Sequence, residues 1–133
     1  MAAFLGHGWQ VVVLRNVSTR SCFMFGYAAL RALDGSKRAL AVEVRQGGGD
    51  YTFPDVRPAP VRVLPGAAAS FAIGSLSNPG AEPPEDVCVE PKALSVTPPG
   101  QRESLLLDEP VGFYCRGWIV ASPLVAGDGG VRY

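Results

Sequence analysis

Residues 14–27 read Leu14-Arg15-Asn16-Val17-Ser18-Thr19-Arg20-Ser21-Cys22-Phe23-Met24-Phe25-Gly26-Tyr27, and their reading decides the fold. They continue a β-rich run that begins at Trp9 (Trp-Gln-Val-Val-Val-Leu). Its density of β-branched side chains predicts a central strand buried on both faces. Residues 16–21 are turn formers and polar side chains, and they predict a hairpin connection. From Cys22 the apolar pattern resumes with period two. Phe23, Phe25 and Tyr27 fall on one face, and Cys22, Met24 and Gly26 on the other. Two short strands around a polar turn make up this stretch, and no catalytic motif stands beside it.

The chain on either side reads the same way. Residues 1–8 form a small, Gly-containing lead-in, expected to be loosely held. Residues 28–33 (Ala-Ala-Leu-Arg-Ala-Leu) have a helical composition, but the stretch is short and ends at the hairpin signal Asp34-Gly35. It therefore reads as a continuation of the strand. Residues 38–45 alternate, with Leu40, Val42 and Val44 inward and Ala41, Glu43 and Arg45 outward. A long loop over 46–60 carries Gly47-Gly48-Gly49, expected to be a mobile tip, then Tyr51, Phe53 and several prolines. Residues 61–64 form a short strand closed by Pro65-Gly66. The next strand, over 67–76, turns Ala69, Phe71 and Ile73 inward. An acidic, Pro-rich loop follows. The run over 87–98 holds Cys88, Leu94 and Val96, and Pro91 places it at an edge or a bulge. Residues 104–107 and 113–124 are the last strands, the latter with Cys115, Trp118 and Val120. A polar tail closes the chain, and no internal repeat is visible.

Short strands at nearly regular spacing, separated by turns, predict an antiparallel sandwich or barrel and not a βαβ layout. The expected fold is all-β: one immunoglobulin-like antiparallel β-sandwich of about seven to eight strands. Its domain spans residues 1–133, with the core over about 9–125.

Composition narrows the function classes. Twelve basic residues balance twelve acidic ones, so the chain has no net charge. This gives no pull toward nucleic acid or anionic lipid and little repulsion against self-association. The 16 glycines and 12 prolines punctuate apolar runs as turns do in an all-β domain. No apolar run reaches the length of a membrane span, so no membrane insertion is expected. The N-terminal residues lack the basic and apolar regions of a signal peptide.

Candidate chemistry is sparse. Three cysteines (Cys22, Cys88 and Cys115) without CxxC spacing, and a single histidine, His7, argue against a zinc site. Cys22 as a nucleophile needs a base, and His7 sits in the Gly-flanked lead-in; a core role for Cys22 is the stronger reading. Glu82, Glu85, Asp86 and Glu90 lack the alternating pattern of calcium loops and read as a solvated acidic loop. Gly47-Gly48-Gly49 lacks the lysine and helix of a phosphate loop. Asn16-Val17-Ser18 matches the glycosylation sequon, a match common by chance. No catalytic residue, metal ligand or cofactor is expected. Among the aromatics Trp9, Trp118, Tyr51, Phe53, Phe113 and Tyr114, the expected exposed contact residues are Tyr51 and Phe53, in their Pro-rich loop.

An ordered set of motifs resembles an actinobacterial family, domain of unknown function 4232, mostly secreted proteins or lipoproteins with a β-sandwich domain. The set comprises Leu14, Asn16 and Ser18, then Cys22-Phe23-Met24-Phe25-Gly26-Tyr27 and Leu33-Asp34-Gly35. It continues with Leu64-Pro65-Gly66, Cys88, Val96-Thr97-Pro98-Pro99-Gly100, Cys115 and Ser122-Pro123. Ala28 follows Tyr27 where the family pattern has proline. The family's first strand, with its own cysteine, has no counterpart read upstream of Trp9, which leaves Cys22 as the unpaired thiol. The resemblance implies a disulfide between Cys88 and Cys115, worth about 3 kcal/mol if unstrained; the alternative is two buried thiols in a reducing compartment. It implies a fold and a compartment, not a reaction.

The expected function is a non-enzymatic structural or binding module with a protein partner or self-assembly, extracytoplasmic in an actinobacterium. The alternative is a subunit of a larger assembly, such as a virion surface or decoration protein, in the virion or cytoplasm. A carboxylate-based hydrolase is the third and weakest reading.

Overall fold

The computed structural model describes residues 1–5, 9–48, 53–76, 88–108 and 114–132. Among them the chain forms strands alone: β1 Ala2–Leu5, β2 Gln10–Arg15, β3 Cys22–Met24, β4 Ala29–Leu33, β5 Glu43–Gln46 and β6 Val61–Val63. Then come β7 Ala68–Leu76, β8 Cys88–Val89, β9 Ala93–Thr97, β10 Leu105–Leu107, β11 Tyr114–Ala121 and β12 Val125–Ala126. The all-β expectation holds, with more and shorter strands than expected: two predicted runs are interrupted, and β1 and β12 lie outside the predicted strands. Gly26, at φ 101°, separates β3 from β4, Pro91 separates β8 from β9, and Pro123 separates β11 from β12. The region 22–33 is thus two strands in two different sheets, not one continuing strand. The lead-in contributes β1, paired antiparallel along β2 from Ala2 opposite Arg15 to Leu5 opposite Val12.

The two layers of the sandwich follow from these pairings. One layer is a sheet in the order β1-β2-β7-β11-β5, extended by β12 against β7 and β8 against β11. The other holds the sheet β10-β9-β4 and the two-stranded ribbon β3-β6. The core lies between them. Val12, Leu14, Phe71, Ile73 and Ile119 of the large sheet meet Met24, Ala32, Val63, Leu94 and Val96 of the opposite layer. Ala69, Phe71 and Ile73 point inward as their alternation requires. One pair departs from an antiparallel plan: β5 runs parallel to β11, Val44 opposite Ile119. The chain crosses from one layer to the other after the Asp34 turn, and so reaches the edge of the large sheet in the direction of β11.

The large sheet is covered on its outer face too. Val11, Val12, Val13 and Leu14 are all buried, as a central strand demands. Phe53, Ala72, Val120 and Val131 form a second apolar cluster on that outer side, with Trp118, Val56 and Val125 packed on it. Two expectations fall here. Phe53, expected as an exposed contact residue, is 0 % exposed; an aromatic ring is the side chain best able to seal the outer face of β7 and β11. The glycine tip is not free at its start: Gly47 N–H donates to the Ala121 carbonyl at 3.0 Å. A Cβ on Gly48 would lie 2.5 Å from the Pro54 carbonyl and 2.9 Å from the Phe53 ring, so glycine serves close packing there. Tyr51, Gly49 and Asp50 lie outside the described residues.

Asn16 joins the layers. It is 2 % exposed, and each of its polar groups is satisfied. Nδ2 donates to the carbonyls of Arg20 (2.7 Å) and of Val63 in β6 (3.0 Å). Oδ1 accepts from the Ser18 N–H (3.0 Å) and hydroxyl (2.7 Å). Its N–H donates to the Ala67 carbonyl, and its own carbonyl accepts from Gly66 N–H. The polar turn is therefore a closed loop bound to the Leu64-Pro65-Gly66 turn.

Replacing this amide strands the buried Val63 carbonyl and removes the partner of the part-buried Arg20 carbonyl and Ser18 N–H. Asn16→Ala is expected to cost about 3–4 kcal/mol. At about 3–4 °C per kcal/mol for a domain of this size, the thermal midpoint falls by about 10 °C or more. Asn16→Asp turns a donor into an acceptor facing two carbonyls and does no better at neutral pH. Thermal unfolding followed by circular dichroism measures both; a midpoint within about 3 °C of wild type would remove Asn16 from this role.

Candidate functional site

The residues singled out from the sequence do not converge on one site. His7, Tyr51, Glu82, Glu85, Asp86 and Phe113 lie outside the described residues. Glu90 is exposed and pairs with Lys92 at 3.2 Å, an ion pair of little energetic weight. Asn16 of the sequon is buried with its Nδ2 committed to two carbonyls, so the folded chain offers no acceptor amide there. Cys22 is a free thiol whose side chain packs partly against the core. Among the described residues no group of three or more His, Cys, Asp or Glu is placed to hold a metal ion. Cys88 and Cys115 stand directly opposite each other in the antiparallel β8–β11 pairing.

Of the other aromatics, Tyr114 belongs to the core. Its hydroxyl donates to Gln10 Oε1 at 2.8 Å. Burial pushes its phenol up from 10.0 to about 12, because ionisation would place a charge among apolar side chains. Trp118 is half-buried under the guanidinium of Arg45, 4.5 Å from its ring centre, and Arg45 also pairs with Glu43 at 3.1 Å. Trp9 is exposed at the start of β2.

The feature with no counterpart elsewhere in the described fold is the outward face of the β3–β6 ribbon. Cys22 and Met24 of β3, and Val61 and Val63 of β6, turn into the core. The period of two therefore turns Phe23 and Arg62 outward, directly opposite each other across the ribbon. Phe25 and Leu64 extend the same face by one alternation at each strand end. Phe23 is 71 % exposed, Phe25 61 % and Leu64 50 %. Val17, 66 % exposed, stands on the Asn16 turn, whose amide holds the Val63 carbonyl of the same ribbon. Single exposed apolar residues need no explanation, but several large ones on one ribbon face are unusual for a folded domain. The backing of this face is rigid, since the Asn16 loop ties one end and Leu124 N–H donates to the Gly26 carbonyl at the other (2.9 Å).

Phe23 and Phe25 escape the sequence reading for a physical reason. Both faces of residues 22–27 are apolar, so alternation assigns the faces but not which is inward. The signal that resolves it is Arg62, the charged side chain of β6 that shares the outward face.

A family model described as "Domain of unknown function (DUF4232)" matches residues 1–124. No curated protein and no solved structure matches the chain.

The Tyr114 phenol gives a pH signature. Its folded-state value lies above its unfolded value of 10.0. Its contribution is fully present below pH 10 and is lost as pH rises toward 12, about 3 kcal/mol in all. Absorbance titration of tyrosinate is expected to show that one of the four tyrosines ionises only near pH 12 or on unfolding. Tyr114→Phe removes that late phase. A full tyrosine titration completed near pH 10 with the fold intact would contradict the burial.

Proposed function

Because the chain belongs to the family described as a domain of unknown function, DUF4232, we propose that it is a non-enzymatic binding module that works outside the cytoplasm. The observation that carries the binding role is the outward face of β3–β6. Phe23, Phe25 and Leu64 are solvated although their backbone neighbours Met24 and Val63 are buried. A polar residue at 23 or 25 would cost the core nothing, because neither side chain faces it. The polar groups of the interior serve the fold: Asn16, Ser70 and Ser122 each bond to the backbone, and Tyr114 bonds to Gln10. The module is thus a rigid scaffold that presents an apolar face to a protein partner.

The placement outside the cytoplasm is supported by the register of β8 and β11. Residues directly opposite in an antiparallel pair have Cα atoms about 4.5–5.5 Å apart. That range lies inside the separations a disulfide spans. A disulfide between Cys88 and Cys115 would enclose the segment that carries β9 and β10 and suits an oxidising compartment.

Two measurements test this reading. Thiol counting on protein produced in an oxidising compartment, denatured without reductant, is expected to find one free thiol, that of Cys22; three would end the disulfide and the placement with it. Photo-crosslinking in the native host tests the binding role. With p-benzoylphenylalanine in place of Phe23, a discrete adduct is expected, and none with the same group in place of Arg38 on the exposed Asp34 turn. Equal or absent adducts at both positions would overturn the binding role.

A further inference from the structure

We infer that the β3–β6 face receives an extended segment of another protein in which carboxylates flank apolar side chains. This rests on the binding-module reading and names the chemistry of its partner. Charge is the deciding observation. Residues 1–76 carry eight basic and four acidic side chains, a net charge of +4; residues 77–133 carry four and eight, a net charge of −4. The neutral total conceals a strongly divided chain. No Asp or Glu occurs in residues 1–33 or 56–81, the two stretches that build the ribbon and its flanking turns. The cations there are Arg15, Arg20, Arg31, Arg57 and Arg62.

Their placement makes this a recognition pattern. Arg62 stands across the ribbon from Phe23. Arg20 is exposed on the Asn16 loop, two residues before β3. Neither guanidinium has a carboxylate partner among the described residues, where the ion pairs are Arg45–Glu43 and Lys92–Glu90. Phe23 thus has beside it a cation with no carboxylate partner among the described residues, and Phe25 and Leu64 around it. Guanidinium groups bind carboxylates through two parallel hydrogen bonds, and the aromatic rings supply the apolar contact. An extended segment presents alternate side chains to such a face at the spacing of the ribbon itself.

Two other occupants fit less well. A second copy docked on the same face by a two-fold axis would bring the Arg20 and Arg62 of both copies into one interface whose ribbon and flanking turns carry no carboxylate to answer them. An anionic membrane surface is served by clusters of about four to eight basic residues, and beside Phe23 stand two, Arg20 and Arg62.

The test uses the full chain and labelled peptides of about a dozen residues. One peptide alternates Glu with Leu and Phe; the others replace Glu by Lys, or Leu and Phe by Ser. Fluorescence anisotropy is expected to show saturable binding of the Glu/Leu/Phe peptide alone, weakening at least about fivefold from roughly 0.05 to 0.3 M salt. The double charge reversal R20E/R62E is expected to weaken that peptide about tenfold or more and to favour the Lys peptide. Its circular dichroism and thermal midpoint should stay at wild-type values, since both side chains are exposed. F23S/F25S should abolish binding of both peptides. Equal binding of the Glu and Lys peptides, or no binding of either, overturns the proposed chemistry. So does light scattering that shows a dimer lost in F23S/F25S, or sedimentation with phosphatidylglycerol vesicles that depends on Phe23. A persistent adduct at position 23 in the host alongside failed peptide binding would sink the acidic-segment proposal alone; loss of both would sink the binding module with it.

Discussion

The fold depends on one buried amide. A β-sandwich gains most of its stability from the apolar contact between its layers, but apolar contact is not directional and does not fix where the chain crosses from one layer to the other. Asn16 does so. It leaves β2 of the large sheet, holds the Val63 carbonyl of the ribbon, and pairs by its own backbone with Ala67 and Gly66 at the start of β7. Crossing points are where backbone groups lose their ladder partners, and buried groups left that way cost about 1–3 kcal/mol each. One short amide with two donors and two acceptor positions satisfies the whole crossing. The other end of the sandwich uses the same device with different atoms. Ser122 Oγ accepts from Ala72 N–H at 2.8 Å where β11 leaves β7, and Leu124 N–H reaches the Gly26 carbonyl in the facing layer.

These crossings account for the resemblance motifs more simply than any chemistry does. Asn16, Ser18 and the Leu64-Pro65-Gly66 turn meet in one hydrogen-bonded loop. Gly26 takes φ 101° to break the strand between β3 and β4, and Ser122-Pro123 ends β11. Asp34 closes its turn by accepting from Ser36 N–H at 2.8 Å and Arg38 N–H at 2.9 Å through its carboxylate. Apart from the cysteines, which lie in strands β3, β8 and β11, what carried the family likeness in the sequence is largely a set of corners.

The same distinction explains what was legible. Strand existence and most facings were readable, because a period of two with β-branched residues has few other structures open to it. Leu40, Val42 and Val44 are more buried than Ala41, Glu43 and Arg45, and β2 is covered on both sides, as those patterns require. What could not be read were long-range choices. The sequence of residues 1–5 carries no sign that they will pair with β2. Nothing local to Phe53 shows that β7 and β11 lack a cover until that ring arrives. The parallel pairing of β5 with β11 depends on the path between the layers, which no window of sequence contains. The exposed face was left unassigned for the same reason: two apolar faces of one short strand compete for one core, and the choice is made by Val61 and Val63, some forty residues away.

That competition also gives the exposed phenylalanines their meaning. Solvated aromatic side chains on a ribbon of two short strands add nothing to the core beneath them, and they expose the protein to association. The liability is greater here than on most domains, because zero net charge leaves little long-range repulsion to keep molecules apart. The arginines beside these rings bear on it. Under the proposed binding role, Arg20 and Arg62 would place positive charge where two copies meet face to face, disfavouring self-association while leaving the face open to a carboxylate-bearing partner. In the proposed binding module, apolar contact would supply the attraction and charge the selection, with the Asn16 corner holding both in register.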